Sequence, residues 1–377
     1  MTSTASSAKP TRQKLDEQIR LRFQSARQEI IAKIIDDSDG EGEIDITDAY
    51  SLSTALLGKY VTLDWPHWRA IRKVRTEIAR YAGDRTRRRP LNIMMQAEPG
   101  SGKSHLVRCL ANSLSGQNAS AVDFNLASLQ QVEDLIQPLD AVRNLKVADR
   151  LPILFLDEFD SDPGRYPLLL PLLWDGELNI AHRNLKLGKL VIILAGSQAS
   201  VTSALAAAKT MRPSTPIEQG KLVDLLSRIN GGELEIPPLD LIAEDRDRRA
   251  DKVCLAISLL QSRFGDSLEV IPISLLHLVA VSTFRYGVRS LAHLMDYITP
   301  PTVEGENEIT TVTAAQLRLP LTSVTALRAS SLSYHMYSAD GPAAIVDTWK
   351  SVSAKTATVR IQEPASGKNL PLWIKSS

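Results

Sequence analysis

The chain has 377 residues, with 44 basic and 43 acidic side chains, 44% hydrophobic residues and a formal net charge of +1. That length holds two or three domains' worth of core, and the near-neutral balance excludes a global attraction to nucleic acid or anionic membrane, so contact with either must be local. The two cysteines, Cys109 and Cys254, fall in apolar helical patterns without metal-ligand spacing, which excludes a disulfide framework and fits a reducing cytoplasm.

The first residues, MTSTASSAKPTRQ, lack the apolar stretch of a secretory signal, and no run reaches the roughly 18 apolar residues of a membrane span. A cytoplasmic location with no membrane partner is therefore expected. From Lys14 to Ile35 the residues Ile19, Phe23, Ile30, Ile31, Ile34 and Ile35 form a loose helical stripe. The acidic, glycine-containing run 36–45 ends it as a linker. Two readings of this helix stay open: it docks a partner or sister subunit, or it packs back on its own chain. Residues 1–45 form the first predicted segment.

Between 60 and 89, Trp65, Trp68, Ile71, Val74 and Ile78 predict a helical face, opposite Arg69, Arg72, Lys73 and Arg80, with Arg85, Arg87, Arg88 and Arg89 following. Basic residues interleaved with tryptophans can grip nucleic-acid phosphates. A solvated helix face is the commoner meaning of such a run, and an acidic neighbouring subunit is a third reading.

The stretch 92–106, NIMMQAEPGSGKSHL, is the most informative in the chain. A short apolar strand ends in a glycine-rich turn, and Lys103-Ser104 opens a helix. Gly100 and Gly102 let backbone N–H groups close around phosphates, Lys103 reaches the β and γ oxygens, and Ser104 can hold Mg²⁺. Glu98, Pro99, Ser101 and His105 complete the expected cradle for ATP. Ala97 stands where the usual spacing has the first glycine. Farther on, LPILFLDEFD (151–160) predicts a buried strand with two carboxylates at its tip, where ligands sit in an open parallel sheet. There Asp157 would ligate Mg²⁺, directly or through water, and Glu158 would polarise the attacking water. Residues 121–126 and 187–198 predict two more strands, the second with a polar tip at Ser197 and Gln198. Strands alternating with helices predict an α/β fold built on a doubly wound parallel sheet, here over 46–240.

The run 221–239 predicts a helix stopped by Gly231-Gly232, with Arg228 near its end, then a short strand. From Asp245 to Ile298 the pattern is wholly helical, a small helical domain over 241–300. Residues 301–377 read as a short mixed appendage or tail, with KTATVRIQEP and NLPLWIK as candidate strands. His182, His277 and His293 are isolated and are not expected to act as bases or ligands, and Asp160 is expected to be a loop or cap residue.

AEPGSGKS, LPILFLDE, a polar-tipped strand, SRI before a short strand, and YGVRSL in a helical segment together resemble an AAA+ ATPase of the phosphate-loop NTPase class, over about Tyr60 to Ile298. Within that family the chain is similar to a group of little-characterised bacterial ATPases, some of which carry a ryanodine-receptor-type domain that has no match here. The resemblance implies a helical lid over 241–300, and Ser197 (with Gln198) as the polar sensor orienting the lytic water. It further implies Arg228 as an arginine finger reaching a neighbour's site, Arg289 as a second sensor, and residues near Val61 lining the adenine. A finger supplied between chains implies a homo-oligomeric ring or spiral, with ATP and Mg²⁺ as cofactors. The expected role is remodelling of a protein or nucleoprotein partner. An ATP-dependent switch or scaffold on DNA or protein is the alternative, and a small-molecule kinase a weaker one, because paired carboxylates and a helical lid suit a lytic water better than an acceptor pocket.

Overall fold

The structure is a computed structural model that describes residues 12–36, 41–114, 116, 118–197, 217–243, 245–296, 298, 311–315, 317, 336–337 and 342–360. Gln198, Tyr334, His335 and the run NLPLWIK therefore lie outside the described residues. The N-terminal part comprises α1 (Arg12–Ile30), β1 (Glu43–Asp45), α2 (Thr47–Thr54) and α3 (Trp65–Gly83). The central part alternates: β2 (Leu91–Gln96), α4 (Lys103–Ser113), β3 (Ala119–Asn125), α5 (Ile136–Val147), β4 (Leu151–Asp157) and α6 (Tyr166–Asp175). A hairpin of β5 (Glu177–Ile180) and β6 (Arg183–Lys186) follows, then β7 (Val191–Gly196), α7 (Ile217–Ser227) and β8 (Glu233–Glu235). The remaining elements are α8 (Arg249–Phe264), β9 (Ile271–Pro272), α9 (Ile273–Val281), β10 (Thr283–Phe284), α10 (Gly287–Asp296), β11 (Met336–Tyr337), α11 (Pro342–Ser353) and β12 (Thr358–Arg360).

The central sheet is five-stranded and all-parallel, in the order β3-β4-β7-β2-β8, as the strand–helix alternation predicts. Leaving β2, the chain skips to the far edge at β3, steps back through β4 and β7, and crosses β2 to finish at β8. β2 is thus where the winding reverses, the position at which open α/β sheets bind ligands. β7 is buried at every residue and β4 at five of seven, because helices cover both faces. Ile93 and Met95 pack under α3 and α4 with Ile71, Ile78 and Leu110. Met94 faces the other way, onto Leu139, Leu169 and Leu225 of α5, α6 and α7.

A further core joins both ends of the chain. Ile19, Phe23, Ile30 and Ile34 pack with Trp68, α8, α9, α10, Trp349 and Val359, so α1 lies on its own chain. Phe23 contacts Trp65 and Trp68, with ring centroids 5.7 and 5.3 Å away; Trp68 is buried and so cannot stack bases, while Trp65 stays half-exposed. Part of the acidic run read as a linker is strand: β1 pairs in parallel with β12, and β12 pairs antiparallel with β9. That pairing joins residues more than 300 positions apart, beyond any local signal. The region 245–298 is not wholly helical either, since β9 and β10 interrupt it, each pairing with a strand contributed by the C-terminal segment. α5 starts only at Ile136, because the Asp134 carboxylate accepts the N–H groups of Gln130 and Gln131 at 2.9 and 3.0 Å and holds a turn before it.

Candidate nucleotide-binding site

The loop after β2 and the tips of β4 and β7 meet at the C-terminal end of the sheet. Ala97, at the place of the missing glycine, is fully buried and its N–H donates to Gly196 O at 3.2 Å. Only glycines at Gly100 and Gly102 take positive φ in this turn, 80° and 87°. The departure from the usual spacing is thus a methyl group in the core and leaves the turn intact. Gly102 caps α4 in the left-handed conformation, which L side chains adopt only with strain. A Cβ on Gly100 would lie 2.4 Å from the Tyr286 carbonyl oxygen, and Gly100 O accepts from Arg289 N at 3.3 Å. The start of α10 therefore sits directly on the loop, and Arg289, exposed there, stands beside the site. Glu98 and Pro99 are exposed and Ser104 is half-buried at the head of α4. Ser101 Oγ is buried without a hydrogen-bond partner.

Lys103 Nζ lies 3.3 Å from Asp157 Oδ1, with the side chains 10% and 20% exposed. Asp157 Oδ1 also accepts the Glu158 N–H at 2.9 Å. Glu158 has φ +53°, a value uncommon outside glycine and often seen at functional positions. Its Oε2 accepts from Asn125 Nδ2 at 3.2 Å. Asn125 reaches it because β3 and β4 are neighbours in register, with Asn125 opposite Asp157. That residue escaped the sequence reading; the signal was its place at the end of the strand preceding the carboxylate strand. Ser197 donates both N–H and Oγ–H to Asp160 Oδ2, at 2.9 and 2.7 Å. Asp160 is therefore the anchor of the β7 tip rather than a simple loop or cap residue.

Beside the loop is a cavity of about 580 Å³, lined by Tyr60, Val61, Ser101, Gly102 and His105 on one side and by Arg248, Asp251, Leu255 and Leu259 on the other. The volume falls within the range of small-ligand sites. His105 contacts Lys59 O at 3.2 Å and Cys109 Sγ at 3.5 Å, so it borders the cavity. At its base Asp251, 2% exposed, accepts from Leu63 N at 2.8 Å and from Arg248 at 3.3 Å. Burial pushes its carboxyl above the ordinary range, and the neighbouring guanidinium opposes that shift.

His67, bonded to the cavity-lining Tyr60 hydroxyl at 2.8 Å, is held neutral: burial, then the Arg248 charge, lowers its pKa to about 3, against the pull of Asp64. The unfolded chain binds this proton first. The stability contributed by neutral His67 is thus present above the ordinary histidine pKa of about 6.5 and is lost as pH falls toward 3, at up to about 1.4 kcal/mol per pH unit. Chemical denaturation between pH 7 and 4 is expected to show this slope, and His67→Gln to flatten it; an unchanged slope in the variant would assign the acid lability elsewhere.

Arg228 lies at the other end of the sheet. Its carbonyl accepts from Asn92 Nδ2 at 2.9 Å. Asn92 is the second residue of β2, four residues before the strand ends, about 13 Å at about 3.3 Å per residue. Its guanidinium bonds the Asp224 carbonyl at 3.0 Å and pairs with the Asp224 carboxylate. The structure thus gathers Gly100 to His105, Asp157, Glu158, Ser197 and Arg289 at one end of the sheet and leaves Arg228 toward the other.

Several cations of the 69–89 stretch are engaged within the chain: Arg72 with Asp16, and Arg80 and Arg87 with Glu77. Among the described residues no three His, Cys, Asp or Glu side chains cluster to hold a metal. A magnesium ion here would rest on Ser104, Asp157, phosphate oxygens and water, the pattern usual for Mg²⁺, and the Ser104 hydroxyl and Asp157 carboxylate fit that donor set.

A glycine turn heading a helix, a lysine above an aspartate at the tip of a neighbouring strand, and β2 at the switch of a parallel sheet define a phosphate-loop nucleotide-binding domain. Residues 93–213 match the family model described as "ATPase family associated with various cellular activities (AAA)". That match marks an AAA-type ATPase domain within the chain, over residues 93–213. Among solved structures it is similar to NtrX from Brucella abortus in complex with ADP (19% identity over 71% of this chain and 59% of that one, TM-score 0.42). It is also similar to the same protein in complex with ATP (18% identity over 76% and 68%, TM-score 0.41) and to the Hsp104–ADP complex of S. cerevisiae (16% identity over 66% and 45%, TM-score 0.45). The chain thus spans 59% of the ADP-bound NtrX chain and under half of Hsp104. No curated protein matches it. Among the described residues no helix is long and apolar enough to cross a membrane.

Proposed function

We propose that this chain hydrolyses ATP with Mg²⁺ at joints between copies of itself, and uses the cycle to remodel a protein or nucleoprotein partner. The observation that supports the reading most is the separation just described: the loop and its carboxylates occupy one end of the sheet and Arg228 the other. A single copy then has Lys103 and Arg289 at its own site but not Arg228, and a second copy supplies that further cation.

In this reading the backbone N–H groups from Gly100 to His105 and the Lys103 ammonium hold the phosphates. The base lies in the cavity beside Tyr60 and Val61. When bound at Ser104 and Asp157, Mg²⁺ neutralises phosphate charge. Glu158 accepts a proton from the attacking water while Asn125 fixes its carboxylate, and Ser197, steadied by Asp160, orients that water. Arg289 contributes charge from the helical layer, a lid over residues 241–300. Phosphoryl transfer needs little else, because it runs on positioning and electrostatic stabilisation.

Glu158→Gln keeps the shape of the site and removes the base. It is expected to bind ATP normally, to lower turnover about 10²–10⁴-fold, and to remain assembled in ATP. Turnover per chain of the unaltered protein should rise with protein concentration. Phosphate release, nucleotide titration and light scattering measure these three outcomes. A Glu158→Gln protein with normal turnover removes the base assignment, and turnover per chain independent of concentration argues against a shared site.

A further inference from the structure

Trp174, at the end of α6, is 45% exposed and carries a guanidinium on each of two approaches. Arg89 Cζ lies 4.1 Å from its ring centroid and Arg228 Cζ 5.7 Å. The backbone beside Trp174 and at Arg228 is tied to one buried residue, Asn92. Asn92 Nδ2 donates to Leu173 O at 2.7 Å and to Arg228 O at 2.9 Å, next in sequence to Trp174 on one side and at the finger itself on the other. Asn230 reinforces the same corner, accepting from Asn92 N at 2.8 Å and donating to Pro90 O at 3.1 Å, beside Arg89. Gly231 permits the approach, since a Cβ there would lie 2.7 Å from Ile93 Cγ1.

Two like charges on one half-exposed ring repel each other, and only Arg228 has a carboxylate nearby, Asp224. Arg89 forms no ion pair among the described residues. Planar guanidinium stacked on indole keeps its in-plane N–H donors free for an anion. The corner is thus a cationic, partly apolar surface in which Arg228 is paired with Asp224 and Arg89 lacks an anion among the described residues, at the end of the sheet remote from the chain's own phosphate loop. The opposite edge supplies the complement: Glu98 and Glu158 are exposed there and Asp157 partly so, beside the place for phosphates.

We propose that Arg89 and Trp174 form, with Arg228, a single docking surface for the nucleotide-bearing edge of a second copy of this chain, Arg89 supplying a second cation and Trp174 the platform that orders both. This rests on the shared-site reading above and adds residues that a finger alone does not require. Attraction between complementary edges speeds association and fixes register, and aromatic and arginine side chains are the usual anchors of such contacts.

The test uses the full chain in ATP and Mg²⁺, with turnover per chain measured against protein concentration for the unaltered protein, Arg89→Ala, Arg89→Lys, Trp174→Phe, Trp174→Ala and Arg228→Ala, each with an unchanged circular dichroism melt. Arg89→Ala and Trp174→Ala are expected to move the concentration of half-maximal turnover upward about tenfold, the size of one lost anchor, without changing ATP affinity in the dilute chain. Arg89→Lys, which keeps charge but loses the planar stack, should recover only part. Emission assigned to Trp174, by difference from Trp174→Phe, should change on assembly. If Arg228→Ala abolishes concentration-dependent turnover while the Arg89 and Trp174 variants match the unaltered protein, the docking surface is refuted and the shared site stands. If Arg228→Ala also behaves as unaltered, both fall. Loss of single-stranded DNA retention in Arg89→Ala with normal assembly would make the corner a nucleic-acid site and refute the proposal.

Discussion

Alanine at position 228 is expected to lower ATP turnover by about 10³-fold or more, the effect typical of an arginine finger, with ATP affinity in the dilute chain nearly unchanged. The two halves of that expectation come from one arrangement. Arg228 is tied through Asn92 to the beginning of β2, whereas Lys103 and Asp157 meet beyond its end, so the chain's own nucleotide gains nothing from its own Arg228. The decisive form is a mixture. A copy with Arg228→Ala retains an intact loop, and a copy with Lys103→Ala retains an intact Arg228. Neither is active alone, and together they should recover part of the turnover, read as phosphate release across mixing ratios. Absence of recovery at every ratio would mean that the arginine does not act between chains.

Lys103→Ala is expected to weaken ATP binding by on the order of 10²–10³-fold, the usual result of deleting one member of a sequestered charge pair. With its side chain 10% exposed and 3.3 Å from Asp157, the ammonium already sits in a partly desolvated place where its charge is felt strongly. Deleting it leaves Asp157 facing the phosphates with no cation from the chain between them. Titration with a fluorescent ATP analogue reads the loss. Binding at unaltered strength would mean that the glycine turn after β2 does not hold the phosphates.

Much of this site was legible because its determinants are local. The glycine turn, Lys103 and Ser104 are contiguous, and Asp157-Glu158 ends an apolar run whose composition predicts a buried strand. Parallel order then brings the two together without further information. What stayed hidden depends on contacts across the sequence. Asn125 reaches Glu158 only through the β3–β4 register, and Asp160 matters only because β7 returns beside β4. The hairpin of β5 and β6 was missed for a local reason: its turn takes positive φ at Ala181 and His182, where sequence reading looks for glycine or asparagine. The strand Glu43–Asp45 was read as linker because its partner, Thr358–Arg360, lies at the far end of the chain. In the basic stretch 69–89 the residue types were plain, yet the pairing of Arg72 with the distant Asp16 was not.

On the proposed shared-site reading, the distance between the two ends of β2 also constrains how many copies can work at once. A donor edge and an acceptor edge on opposite sides of one molecule can meet only head to tail, a heterologous contact that either closes on itself or continues indefinitely. Two copies related by a dyad would present like edges to each other and leave both loops unserved. In an unclosed row, one loop at the terminus always lacks a donor, so active sites number one fewer than subunits, and closure alone brings every site into use.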